Sequence, residues 1–146
     1  MEEILSEKLI NLKLKAVNRY QACDELAHML YDEHFISNVE QFIKSVLDRE
    51  TYGNTEIGNA TVIPHGISDT VIKSTMAIGK SDTGILWEEN SEPIRLIILL
   101  AVRDDDEQLE RNTTIASVMK MLADNKKIDL ILHSSNKKTI IQYLKQ

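Results

Sequence analysis

The stretch "IRLIILLAV", residues 94–102, decides the fold class because it is almost continuously aliphatic. A strand with one buried face alternates apolar and polar side chains, so an unbroken aliphatic run indicates a central strand that is covered on both faces. Such a strand needs helices above and below its sheet. The sequence supplies helical patterns on both sides of this run along the chain.

Two helices are predicted before it. Residues 20–30 have the i, i+3, i+4, i+7 spacing of one helix face. A second helix is predicted to begin with a capping box of Ser37 and Glu40 and to end near Arg49 and Glu50. Further upstream, "LINLKL" at 9–14 alternates only in part, which favours a short strand without excluding a helix.

Three more helices are predicted after it. Residues 107–123 carry a long helical pattern behind acidic residues, which favour a helix N-terminus. A short helix is expected around residues 128–132, and Ser134 or Ser135 is expected to cap a last one. All five glycines fall between residues 53 and 84, among β-branched residues typical of strands. The predicted fold class is therefore α/β (α+β-like), with a mixed central sheet sandwiched by helices in a single domain over residues 1–146.

Composition excludes several classes of function. The chain has 146 residues, 42% of them hydrophobic, and a formal net charge of −6 with scattered basic residues, so no nucleic-acid partner is expected. Its single cysteine allows no intramolecular disulfide and no cysteine-based zinc cluster. The N-terminus does not have the pattern of a signal peptide, and the longest apolar run is too short to cross a bilayer. We therefore expect a cytoplasmic protein.

The one suggestive corner is "TVIPHG", residues 61–66. Pro64 lacks a backbone N–H, so we expect the strand before it to end there, and Gly66 would let the chain turn closely behind His65. The imidazole would then be presented on a constrained corner. The alternative is an ordinary strand-end histidine in water. The other histidines have no convincing second ligand nearby in sequence, and no metal site is expected.

The sequence carries no other motif that indicates chemistry. The chain contains no G-x-S-x-G, no phosphate-binding GxxxxGK[ST] and no GxGxxG motif. The four consecutive acids at 104–107 fit a solvated helix start better than a chemical site. Periodicity and motifs together thus leave an α/β domain with one candidate histidine.

Four segments carry a resemblance to a known family: "FIKSVLDRE" (42–50), "TEIGNATVIPHG" (55–66), "EPIRLIILLAV" (92–102) and "DEQLERNTTIASVMKML" (106–122). In this order and spacing the sequence resembles the enzyme IIA component of the mannitol/fructose class, type 2, of the bacterial phosphoenolpyruvate-dependent sugar phosphotransferase system. The Pro-His pair alone is a weak signal, whereas the ordered set is specific.

The resemblance implies a phosphoryl carrier with a phosphohistidine intermediate at His65. Its partners would be the histidine-containing phosphocarrier protein, a IIB component and, indirectly, a membrane IIC component, with no cofactor. Arg49 would hold phosphoryl oxygens through two donors, although at a helix end it also complements the helix dipole. Thr55 would donate a hydroxyl hydrogen bond, although threonines beside glycines commonly just hold turns.

One position departs from the pattern. The mannitol and fructose members usually carry a second histidine where this chain has Gln108. A glutamine amide donates a hydrogen bond but cannot become cationic, so we expect Gln108 to stabilise the phosphoryl group less and to flatten the pH dependence. Galactitol-like members share this glutamine, so it does not argue against carrier function, but it leaves the sugar open.

Two other functions fit the same residues. One is a regulatory IIA-like domain, of the nitrogen type or associated with antiterminators, in which the phosphorylation state of His65 signals to partners. The other is a binding module that keeps the fold without transfer. The presence of both His65 and Arg49 argues against the binding module. The sequence fixes neither the choice between transport and regulation nor the oligomeric state.

Overall fold

The computed structural model describes residues 5–53, 55–89, 91–104 and 118–145. Residues 118–121 are helical. The other elements are, in chain order, a 3-10 turn (Glu7–Leu9), β1 (Ile10–Asn11), α1 (Arg19–Asp32), α2 (Val39–Glu50), β2 (Glu56–Gly58), β3 (Thr61–Val62), β4 (His65–Ser68), β5 (Thr75–Ile85), β6 (Ile94–Arg103), α3 (Asn125–His133) and α4 (Lys137–Lys145).

The sheet is mixed, as predicted, and β6 lies at its centre. The strand order is β1-β5-β6-β3-β2, and β4 also pairs with β6. Strand β5 runs antiparallel to β6, whereas β3 and β4 run parallel to it. The aliphatic run therefore forms the central strand that its composition predicts.

Helices cover both faces of β6, which confirms the sandwich. Because successive side chains of a strand point to opposite faces, Ile97 and Leu99 enter one apolar cluster and Leu96 and Ile98 enter the other. The first cluster is completed by α1 and α2. The second is completed by C-terminal residues, among them Val118, Met121, Ile128, Ile131, Ile140 and Leu144.

The predicted helix caps were wrong by one or two residues. Helix α2 is capped by Asn38, whose side chain accepts a hydrogen bond from the backbone N–H of Gln41 at 3.0 Å. Ser37 instead donates its hydroxyl to the carbonyl of Thr70 at 3.2 Å, a long-range bond that takes it away from the capping role.

The last helix shows the same shift. Asn136 accepts from the N–H of Thr139 at 3.0 Å, so it takes the role predicted for Ser134 or Ser135. Near the N-terminus, the 9–14 segment contributes only the end of a 3-10 turn and the two residues of β1. Most of the helix predicted over 107–123 lies outside the described residues.

Strand β3 ends at Val62, just before Pro64, as expected, but the chain does not leave the sheet at the proline. Val62 pairs with Ile97 and His65 pairs with Leu100, so β3 and β4 follow β6 in one unslipped register across the proline. The carbonyl of Pro64 accepts from the N–H of Leu100 at 2.9 Å. Proline removes only a donor, so its carbonyl keeps the chain on the sheet.

Gly66 also has a different purpose from the turn we predicted. It lies inside β4, where a Cβ would stand 2.4 Å from Phe42 Cε1 and 2.8 Å from Val46 Cγ2. The missing side chain lets α2 pack directly on the strand that carries His65. The glycine is therefore required by close packing.

We predict that Gly66→Ala lowers the free energy of unfolding by about 2 kcal/mol, because the added methyl overpacks this contact. Combined with Phe42→Leu, it should cost less than the sum of the two single changes, since the shorter side chain makes room. Urea unfolding followed by circular dichroism measures both. Exposed Asp69→Ala serves as the control, and a Gly66→Ala protein as stable as this control would contradict the packing argument.

Candidate active site

His65 is the first residue of β4 and is half-buried. The Cβ position of Gly66 faces α2, so alternation along the strand directs the His65 side chain to the opposite face of the sheet. Ile63, two residues earlier, belongs to the apolar cluster on that opposite face. The imidazole therefore lies at the border between the C-terminal side of the core and solvent.

Two effects lower the pKa of His65 below its ordinary value of 6.5. The larger is burial, which disfavours the charged imidazolium, and the second is the positive charge of Arg49. The ring is thus kept neutral near pH 7. A neutral imidazole has a free nitrogen lone pair, which is the form that acts as a nucleophile.

Arg49 lies in the last turn of α2, the helix that packs on β4 at Gly66. His65 points to the opposite face of the sheet from this helix. Its Nη1 donates to the carbonyl of Gly53 at 3.0 Å. The short turn after the helix is fixed by two backbone bonds, from Tyr52 N–H to the Arg49 carbonyl and from Gly53 N–H to the Glu50 carbonyl. The positive charge of Arg49 is thus close enough to act on the ring of His65. The predicted contact between Arg49 and phosphoryl oxygens stays a prediction.

Thr55 lies close to the same strand, but its hydroxyl is engaged elsewhere. It donates to Oε1 of Glu50 at 2.8 Å, and its carbonyl accepts from the N–H of Ile63 at 3.0 Å. The predicted contact between Thr55 and a phosphoryl group stays a prediction. Gln108, the fourth predicted site residue, lies outside the described residues.

Glu50 was not among the predicted site residues, yet it is only 5% exposed. The sequence did hold a signal, because Glu50 occupies the next position on the buried face of α2 after Phe42 and Val46. A carboxylate at a position that the period assigns to the core is unusual. Its charge is one of the causes that raise the pKa of the buried Cys23 thiol to about 12.

Exposed apolar side chains lie near His65 in the chain and on the turn after α2. Ile67, two residues beyond His65 on the same strand, is 55% exposed, and Tyr52 is 89% exposed. Exposed apolar residues around a reactive group suit a transient protein interface.

Among the residues that the structure describes, no group of three or more His, Cys, Asp or Glu side chains is arranged to hold a metal. His28 and His133 each donate from Nδ1 to the carbonyl four residues earlier, at 2.8 Å. Over the same part of the chain, no helix combines the length and apolarity needed to cross a membrane.

We predict that the His65 pKa lies below 6.5 and rises in Arg49→Gln, because a positive charge that disfavours the imidazolium is removed. It should stay below 6.5 even then, since burial is the larger cause. The unfolded chain binds this proton at a higher pH than the folded protein does. Protonation of the unfolded chain therefore lowers the free energy of unfolding as the pH falls below 6.5.

An NMR titration of the imidazole measures this shift. Lys44→Gln removes the same charge from an exposed site on α2 and should leave the His65 pKa unchanged. A wild-type pKa at or above 6.5 would contradict the account.

Comparison with known families matches residues 3–146 to the family described as "Phosphoenolpyruvate-dependent sugar phosphotransferase system, EIIA 2". The fructose-specific EIIABC component of Bacillus subtilis is 25% identical over 70% of this chain, and the mannitol-specific enzyme IIA component of Halalkalibacterium halodurans is 24% identical over 84%. This chain spans only 16% of the first protein's length but 94% of the second's.

Solved structures confirm the α/β fold. The nitrogen regulatory protein IIA-Ntr of Neisseria meningitidis superposes with a TM-score of 0.83 at 18% identity, covering 97% of this chain and 96% of that one. The Escherichia coli mannitol IIA, in complex with phosphorylated mannitol IIB, gives a TM-score of 0.78 at 24% identity with 96% of each chain covered. With a family match over nearly every residue, the chain belongs to the type 2 EIIA family of the phosphoenolpyruvate-dependent sugar phosphotransferase system.

Proposed function

We propose that this chain is a phosphoryl carrier that accepts a phosphoryl group on His65 from the histidine-containing phosphocarrier protein and passes it to a IIB component. The IIB component would phosphorylate a sugar taken up through a membrane IIC component. The observation that carries the proposal is the half-buried His65 beside Arg49, in a chain of this family.

The transfer itself is a displacement at phosphorus. The lone pair of a His65 ring nitrogen forms the new N–P bond, while the N–P bond of the donor phosphohistidine breaks and its electron pair returns to the donor imidazole. The reverse exchange on the IIB component regenerates neutral His65. No metal ion or nucleotide is required for this balance, because the phosphoryl group moves between protein side chains.

Arg49 supports both directions of this exchange. Its guanidinium can bind two oxygens of the phosphoryl group, whose charge at neutral pH approaches −2. The bond from Arg49 to the Gly53 carbonyl holds the guanidinium in place before the group arrives, and its charge already acts on His65. Because Arg49 is partly exposed, this attraction stabilises the group without locking it in place.

Two similarities support transport as the use of this chemistry, whereas the superposition on the nitrogen regulatory protein of Neisseria meningitidis supports regulation. The Halalkalibacterium halodurans relative, which this chain nearly spans, is named as mannitol-specific. The Escherichia coli neighbour was solved with phosphorylated IIB, which supports a IIB component as the acceptor. The regulatory alternative uses the same His65 chemistry and differs only in the recipient, so the acceptor is what separates the two.

We predict a gain of one acid-labile phosphoryl group when the protein is incubated with phosphoenolpyruvate, enzyme I and the phosphocarrier protein. The gain should be absent in His65→Ala and intact in His28→Ala, which removes an exposed histidine from α1. Intact-mass spectrometry measures it, and subsequent loss of the group to a IIB component would identify transport. No gain, where another IIA protein is labelled, would refute the carrier function.

We also predict that Arg49→Gln slows phosphorylation of His65 about 100-fold, because a charged donor to the transferring group is lost. Arg49→Lys should recover only part of the rate, since it restores the charge without the two-donor fork. Rapid-quench kinetics measures both, with Lys44→Gln as the charge-matched control. Equal rates for wild type and Arg49→Gln would remove Arg49 from the mechanism.

A further inference from the structure

The buried face of α2 ends in a carboxylate. Phe42 and Val46 are fully buried on that face, and Glu50 follows them at 5% exposure. Burial of a carboxylate costs free energy unless hydrogen bonds compensate it, and an apolar residue at this position would avoid the cost. The position therefore calls for an explanation beyond packing.

The hydrogen bonds of Glu50 only partly compensate that cost. Oε1 accepts from the Thr55 hydroxyl at 2.8 Å. Oε2 is buried and has no hydrogen-bond partner among the residues that the structure describes. The carboxylate is therefore held in place mainly through its bond to Thr55, which lies five residues further along the chain.

Thr55 is also hydrogen-bonded to the chain segment that leads to the reactive histidine. Its carbonyl accepts from the N–H of Ile63 at 3.0 Å, two residues before His65. Pro64, between them, has no N–H and cannot donate a bond of its own. The N–H of Ile63 is therefore the last backbone donor before His65, and its bond to Thr55 holds the chain at that point.

Hydrogen bonds at the end of α2 also hold the side chain of Arg49 in place. Arg49 donates to the Gly53 carbonyl, and the Gly53 N–H donates to the Glu50 carbonyl at 3.1 Å. These bonds, together with those of Thr55, thus connect the helix end that bears Arg49 to the backbone that bears His65. The bond between the Glu50 and Thr55 side chains closes that connection.

We propose that Glu50 is a positioning residue for phosphoryl transfer, which, through its bond to Thr55, ties the end of α2 to the backbone before His65 and thereby sets Arg49 relative to His65. This inference rests on the proposed carrier function. Thr55 then contributes through the bond from its hydroxyl to Glu50. Small misplacements of reacting groups cost large factors in rate, so an anchor at this place affects turnover directly.

The test compares changes that keep or remove the bond. Thr55→Ser retains the hydroxyl, whereas Thr55→Val retains the shape and loses it. We expect Thr55→Val to lower the maximal rate of His65 phosphorylation about tenfold with little change in the donor concentration at half-saturation. Thr55→Ser should transfer within about twofold of wild type.

A double variant separates positioning from stability. Glu50→Met with Thr55→Val replaces both partners by apolar groups, a change that is commonly near-neutral or stabilising. We expect a urea midpoint close to that of wild type together with the tenfold slower transfer. Ile140→Val, a cavity-forming change on α4 in the other apolar cluster, should lower the midpoint and leave transfer unchanged.

A second readout needs no phosphoryl donor. If the anchor sets Arg49 against His65, the double variant should shift the His65 NMR titration toward 6.5, while Ile140→Val should not. A double variant with wild-type transfer and an unshifted titration would overturn the role of Glu50. Failure of wild-type protein to accept any phosphoryl group would instead overturn the carrier function, and the titration would still decide the positioning claim.

Discussion

The close contact between β4 and α2 at Gly66 is the constraint on which the rest of the site depends. A Cβ at this position would overlap the ring of Phe42, so only glycine lets the helix approach the strand this closely. The contact directs His65 to the far face of the sheet and packs α2 directly on the strand that carries it. Arg49 therefore comes within electrostatic range of the imidazole although it starts on the opposite side.

The positive charge of Arg49 favours both the free and the phosphorylated form of His65. Before transfer, burial and Arg49 both disfavour the imidazolium, so the ring presents a lone pair. After transfer, the same guanidinium faces an anion instead of a neutral ring, and repulsion becomes attraction. One fixed positive charge thus favours both the reactive form of the free protein and the loaded form, while its exposure to solvent keeps the loaded form reversible.

The sequence predicted the parts that depend on hydrophobic periodicity. The run 94–102 became the central strand because both of its faces are apolar, and α2 ended at Glu50 as its pattern implied. Details that depend on competing hydrogen bonds were missed. Ser37 does not cap α2, because its hydroxyl donates to the carbonyl of Thr70 instead. Pro64 stays on the sheet because its carbonyl accepts from the N–H of Leu100.

The site was predictable only in part for a related reason. His65 and Arg49 were recognisable from motif order, and the helical period places Glu50 on the buried face of α2. The bond between Glu50 and Thr55 is a tertiary contact that no spacing reveals. A glycine after Pro-His can serve a turn or a close contact, so the sequence alone does not distinguish them, and the position of Phe42 decides for the contact.

The most direct test of the account is to identify the atom that carries the phosphoryl group. The protein labelled with ¹⁵N in its histidines would be phosphorylated and examined by ³¹P and ¹⁵N NMR. The account predicts one phosphorus signal coupled to a single imidazole nitrogen that belongs to His65 and is missing in His65→Ala. Coupling to His28, His34 or His133, or a signal that survives in His65→Ala, would contradict it.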